Sequence, residues 1–82
     1  MNKEIKMITL NKIKACLYRI YEAEDEDCPN RRVIEANNRA LNHYLKGYSI
    51  DQVNDIAICV EFFRDNCAVE LEKIGWKIIR EK

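Results

Sequence analysis

The chain has 82 residues, and fourteen Lys and Arg balance fourteen Asp and Glu, so the formal charge is zero. A length of this order holds one small domain and leaves no room for a second core. Apolar residues at 48% and charged ones at 34% exclude a disordered tail, and the neutrality argues against a general nucleic-acid coat or a polybasic membrane binder.

The start, Met1-Asn2-Lys3-Glu4-Ile5-Lys6, lacks the continuous apolar stretch of a secretory signal, and no later run approaches the roughly 18 residues that cross a bilayer. A cytoplasmic protein is expected. Ile5-Lys6-Met7 alternates apolar and charged side chains, as a half-buried strand does. The first long helix is expected over residues 10–26. Its apolar face holds Leu10, Ile13, Cys16, Leu17, Ile20 and Tyr21, with Lys12, Lys14, Arg19 and Glu22 on the wet side. It ends in the acidic run Glu22 to Asp27, where carboxylates oppose the helix dipole and favour fraying. A calcium loop would need an alternating ligand pattern and a glycine that this run lacks.

After Cys28-Pro29, Asn30 is a natural N-cap for a second helix over residues 31–46, with Gly47 as its stop. Val33, Ile34, Ala40, Leu41, Tyr44 and Leu45 form its apolar face, and Asn37 lies in the middle of that face. A buried amide there must find a hydrogen-bond partner, and one internal amide can fix the register between helices.

The third helix carries the clearest signal. Ser49-Ile50-Asp51-Gln52 is a capping box, and Val53, Ile56, Ala57, Val60, Phe63, Cys67, Leu71 and Ile74 follow at three- and four-residue steps. Gly75 ends the run, and Trp76 can fold back on Leu71 in a Schellman-type contact. About 25 residues, or roughly 37 Å, would make this the spine of the domain. Trp76-Lys77-Ile78 alternates again, and the ends fit either a two-stranded ribbon or a short helical turn. The expected fold is therefore an all-α, three-helix domain with a long C-terminal helix, with a short terminal ribbon left open.

Cys16, Cys28, Cys59 and Cys67 read as small buried core thiols. In one continuous helix Cys59 and Cys67 would lie about 12 Å apart, beyond the roughly 7 Å a disulfide spans. There is no C-x-x-C, and the single His43 cannot complete a closely spaced zinc set. No metal or cofactor is expected. Thr9 and Ser49 are the chain's hydroxyl side chains apart from tyrosines, and Ser49 already has a capping role, so little supports an enzyme.

Two surfaces remain once a core is built. Ile58, Phe62 and Val69 form a second apolar stripe, roughly opposite the main face of the third helix and flanked by Asp51, Asp55 and Asp65. Such a stripe is either enclosed within the fold or covered by a protein partner or a second copy in a homodimer, and periodicity leaves both open. On the second helix Arg32, Arg39, His43 and Lys46 line one strip, with Glu35 among them. That strip reads as an ordinary solvated face or as a docking strip for an acidic protein segment. The stretch from Leu45 to Val53 also has the shape of a helix-turn-helix. Its second helix would carry Asp51 and Asp55 into the groove, and residues 51–72 hold six acids against Arg64 alone, so nucleic acid is a poor match.

The overall size, the succession of amphipathic helices and the segment Asn42-His43-Tyr44-Leu45-Lys46-Gly47-Tyr48 resemble the RIII-type lysis-inhibition accessory proteins of T-even bacteriophages, over the whole chain. The resemblance implies a cytoplasmic antiholin, which binds the cytosolic part of a membrane-embedded holin and delays pore formation. Such a protein needs only differential affinity for the holin state that cannot yet assemble. The competing expectation is a small phage or bacterial inhibitor of a soluble host enzyme or transcription complex.

Overall fold

In the computed structural model, which describes residues 3–25 and 27–80, strand β1 (Glu4–Lys6) runs directly into helix α1 (Met7–Glu24). Helices α2 (Arg31–Tyr44) and α3 (Ile50–Phe63) follow. A 3-10 turn (Arg64–Asn66), helix α4 (Cys67–Lys73) and strand β2 (Lys77–Ile79) complete the chain. The fold is mainly helical, with the two ends joined in a short sheet.

Helix α1 buries Leu10, Ile13, Cys16, Ile20 and Ala23, a stripe at helical spacing that forms one wall of the core. It begins at Met7, three residues before the expected start, on an N-cap Lys6 that makes no side-chain cap. The strand directly before it is anchored in the core by Ile5, which is itself buried. The helix ends at Glu24; the expected end at Glu26 lies outside the described residues. Tyr21, expected on the buried face, is exposed, because the contact surface of α1 stops at Ile20 and Ala23 on its neighbouring side.

Helix α2 packs chiefly on α1. Asn30 caps it as expected, its side chain accepting from the Val33 N–H at 3.3 Å. Leu41 alone in α2 is fully buried, while Val33, Ile34, Ala40, Tyr44 and Leu45 are half-buried. Asn37 does not bridge two helices. Its side-chain amide donates to the Val33 carbonyl at 2.8 Å, one turn back in its own helix, so it sets no register between elements.

The capping box of α3 is complete. Ser49 Oγ accepts from the Gln52 N–H at 3.2 Å, and Gln52 Oε1 accepts from the Ser49 N–H at 3.0 Å. Beyond it the structure departs from the expected long C-terminal helix, because the run read as one spine is two helices folded back on each other. The Trp76 indole N–H donates to Asp55 Oδ2 at 3.3 Å, whereas a straight helix would carry position 76 about 30 Å away from 55. The reversal occurs at Arg64-Asp65-Asn66, where Arg64 takes φ +45° and ψ −110°. Asp and Asn favour such turns through side-chain competition with the helix backbone. Folding back places the small side chains Cys59, Cys67 and Ala68 and the larger Leu71 in the core. Phe63 and Ile74, expected in the buried stripe, are 43% and 47% exposed, since each lies at a reversal of the chain.

Arg64 occupies left-handed backbone that suits glycine. Arg64→Gly should therefore raise stability by about 1 kcal/mol, read as an upward shift of the urea midpoint. An unchanged or lower midpoint would show that the Arg64 side chain makes good the backbone cost.

At the end of α4 the Schellman pair forms as the sequence indicated. The Trp76 N–H donates to the Leu71 carbonyl at 2.9 Å and the Gly75 N–H to the Glu72 carbonyl at 3.1 Å. Gly75 supplies the required positive φ of +102°. The chain then enters β2, which pairs in parallel with β1 in the register Glu4–Lys77, Ile5–Ile78, Lys6–Ile79. Ile5 and Ile78 face inward together, adding both termini to the same core as Leu10, Ile13, Ile56, Val60 and Leu71.

Candidate functional site

The core uses one face of α3, through Gln52, Ile56, Cys59 and Val60. Ile58 and Phe62 fall on the other face, one turn apart, and are 51% and 71% exposed. At that spacing their side chains are neighbours, about 5–6 Å apart at Cβ, so they form one ridge. Val69 is also exposed, at 49%, but the fold-back puts it on α4. The three are not a straight stripe on one rod; Ile58 and Phe62 share a helix, and Val69 stands on the next.

The acids around the ridge divide into engaged and available ones. Asp55 accepts from Trp76 and lies 3.8 Å from Lys3 Nζ. Asp65 lies 3.4 Å from Lys14 Nζ, tying the reversal to α1. Asp51 and Glu61 are exposed on α3 itself.

Arg32, Arg39 and His43 on α2 and Lys46 in the turn that follows it are all exposed, and none forms an ion pair with another described residue. The His43 ring stands edge-on to Tyr44, with centroids 5.7 Å apart, and Lys12 Nζ lies 5.8 Å from the Tyr44 centroid. Lys46 also borders a cleft of about 580 Å³ with Lys6, Thr9 and Tyr48, beside the Gly47 turn. Ridge and strip thus lie on different helices, and the strip's helix has α1 as its main neighbour.

A second cleft has no counterpart in the helical periodicity. With a volume of about 450 Å³, it opens between the end of α1 and the end of α3, lined by Tyr18, Tyr21, Glu22, Asp25, Glu61 and Arg64. The Tyr18 hydroxyl is buried without a hydrogen-bond partner among the described residues. Burial, followed by the negative charges of Glu61 and Glu24, pushes the Tyr21 phenol above its ordinary range. Its sequence signals were the acidic run ending α1 and the pair of tyrosines three apart. What they lacked was knowledge that α1 and α3 meet there.

The cysteines are free, with Cys16, Cys59 and Cys67 buried. Cys28 is exposed on the α1–α2 connection, which corrects its expected place in the core. Cys59 and Cys67 stand on α3 and α4 and are not set about 12 Å apart along one helix, because the chain reverses between them. Burial pushes both thiols up, and for Cys59 the charges of Asp55 and Cys67 add to this. Both therefore favour the protonated thiol in the fold. That contribution is complete below the ordinary value of 9.0 and declines as pH rises above it. A thiol reagent at neutral pH should modify Cys28 at once and the other three only at the rate of opening. Four equal rates would contradict the burial.

Among the described residues, no three His, Cys, Asp or Glu side chains come together as a metal site, and no helix is long and apolar enough to cross a membrane. Comparison with protein-family models, curated proteins and solved structures gives no match to the chain.

Proposed function

We propose that this chain is a non-catalytic protein-binding regulator, a cytoplasmic antiholin that binds the cytosolic part of a phage holin and delays host lysis. The observation that carries the reading is the exposed Ile58–Phe62 ridge on α3, opposite the face that builds the core. A contiguous apolar ridge in a small, highly charged domain is the kind of surface a protein partner covers. Val69 adds an exposed apolar side chain on α4, and Arg32, Arg39 and His43 on α2, with Lys46 in the turn that follows, orient the encounter through long-range charge toward a separate acidic segment of the partner. The resemblance drawn from the size, the helical pattern and the segment from Asn42 to Tyr48 supplies the choice of partner.

Antiholin action needs no chemistry beyond binding. A preference of about 1.4 kcal/mol for the unassembled holin shifts its population tenfold. The test is lysis timing: co-expression of this chain with a T-even holin should postpone the fall in culture turbidity. An unaltered lysis time with both proteins present at comparable levels would overturn the assignment. Recovery of a soluble host enzyme or transcription complex on the tagged chain, with no holin, would favour the inhibitor class instead.

A further inference from the structure

The ridge and the cleft beside it share a residue. Glu61 precedes Phe62 on α3 and also lines the cleft between α1 and α3. From the ridge to the end of α1 the surface therefore runs apolar, then acidic. Ile58 and Phe62 are followed by Glu61, and then by Glu22 and Asp25 across the cleft, with Arg64 as the cation on its wall. The C-terminal end of α1 adds the negative end of its dipole, and no basic residue occupies its last turn. Tyr18 and Tyr21 supply aromatic walls, which attract a cationic head over their faces.

We infer that this surface takes a basic amphipathic helix of a partner chain, with its apolar side seated on Ile58 and Phe62 and a lysine or arginine reaching into the cleft lined by Glu22, Asp25 and Glu61. The inference rests on the reading of the ridge as a docking surface and adds the sign of the partner's charge. A second copy set on the same face would bring one acidic surface, on which Asp51 and Glu61 are exposed, against another, and like charges across an interface are unfavourable. An acidic helix, nucleic acid or an anionic lipid surface meets the same repulsion. The α2 strip is basic and belongs to another helix, so it does not neutralise this face.

Two labelled peptides of about 18 residues test this, one with leucines on one helical face and lysines on the other, the second with glutamates replacing the lysines. Fluorescence anisotropy with the full chain should show saturable binding of the lysine peptide, weakened roughly tenfold or more between about 50 and 500 mM salt. Glu61→Lys should weaken it by a further order of magnitude, roughly tenfold, and Phe62→Asp by at least as much. Both positions are exposed, and an unchanged melting temperature in each variant shows that the fold is intact. Preference for the glutamate peptide overturns the charge assignment while leaving the ridge as a docking face. Failure of both peptides removes the ridge itself, and with it the proposed function's main support. Equal binding to wild type, Glu61→Lys and Phe62→Asp places the peptide elsewhere and overturns the inference. Light scattering that shows a dimer of the chain alone, lost in Phe62→Asp, assigns the ridge to a second copy and also overturns it.

Discussion

Trp76→Ala should cost about 3–5 kcal/mol and lower the melting temperature by on the order of 20 °C. Trp76 is 3% exposed at the point where the Schellman turn of α4 hands the chain to β2. Its indole N–H reaches Asp55 on α3, and its ring lies 5.8 Å from that of Tyr48 in the α2–α3 connection. Tyr48 in turn donates to the Glu4 carbonyl of β1 at 2.7 Å. One side chain thus links α3, the turn before it and the strand pair that joins the termini. Truncation leaves a cavity and removes the hydrogen-bond donor that meets Asp55. A domain of this length has roughly 4–12 kcal/mol in total, so the loss removes a large share of it. Trp76→Phe, which keeps a ring but loses the N–H, should cost less, about 1–2 kcal/mol. Urea unfolding reads both, and a loss below about 1 kcal/mol for Trp76→Ala would contradict the packing described.

Phe62→Asp should leave stability within about 0.5 kcal/mol, as expected for a surface position, and weaken partner binding by at least roughly 30-fold. Phe62 is the most exposed aromatic residue and contributes nothing to the core cluster. An aromatic anchor at the centre of a docking face carries a disproportionate part of the affinity, and a carboxylate there must be desolvated without a partner. Titration of the holin's cytosolic segment with wild type and variant reads the effect. Equal affinities would take Phe62 out of the interface. Arg39→Glu on the α2 strip should reduce the association rate more than it speeds dissociation, because the strip steers an acidic segment of the partner that is separate from the basic helix on the ridge.

The parts of this fold legible in the sequence are those that depend on neighbours in the chain. The Asn30 cap, the Ser49–Gln52 box and the Gly75–Trp76 Schellman turn each need only a few consecutive residues, and each is present. The reversal at Arg64-Asp65-Asn66 left almost no trace in the periodicity. At 100° per residue Cys67 and Leu71 return within about 20° of Val60 on a helical wheel, so a broken helix and a straight one look alike there. Phe63 and Ala68 are the residues that distinguish them. A straight helix buries Phe63 among Ile56 and Cys59, whereas the folded-back chain exposes it and buries Ala68. Asp65-Asn66 was the available local clue.

The same division runs through the candidate site. Ile58 and Phe62 lie one turn apart on α3, so their shared face follows from helical geometry alone, and both are exposed. Val69 shares that face only on an unbroken helix, and the reversal at residues 64–66 moves it to α4. The acidic cleft needs α1 and α3 to meet at their ends, and the tie between Trp76 and Asp55 needs α4 to return along α3. Neither pairing has a signature in a single sequence, because each is set by how the whole core closes.

Capture on the tagged full chain, wild type beside Phe62→Asp, from cells that express a holin, with the membrane fraction included, addresses the docking ridge directly. A partner retained by wild type and lost by the equally well folded variant is the predicted result. The same partner on both, in equal amount, would contradict it.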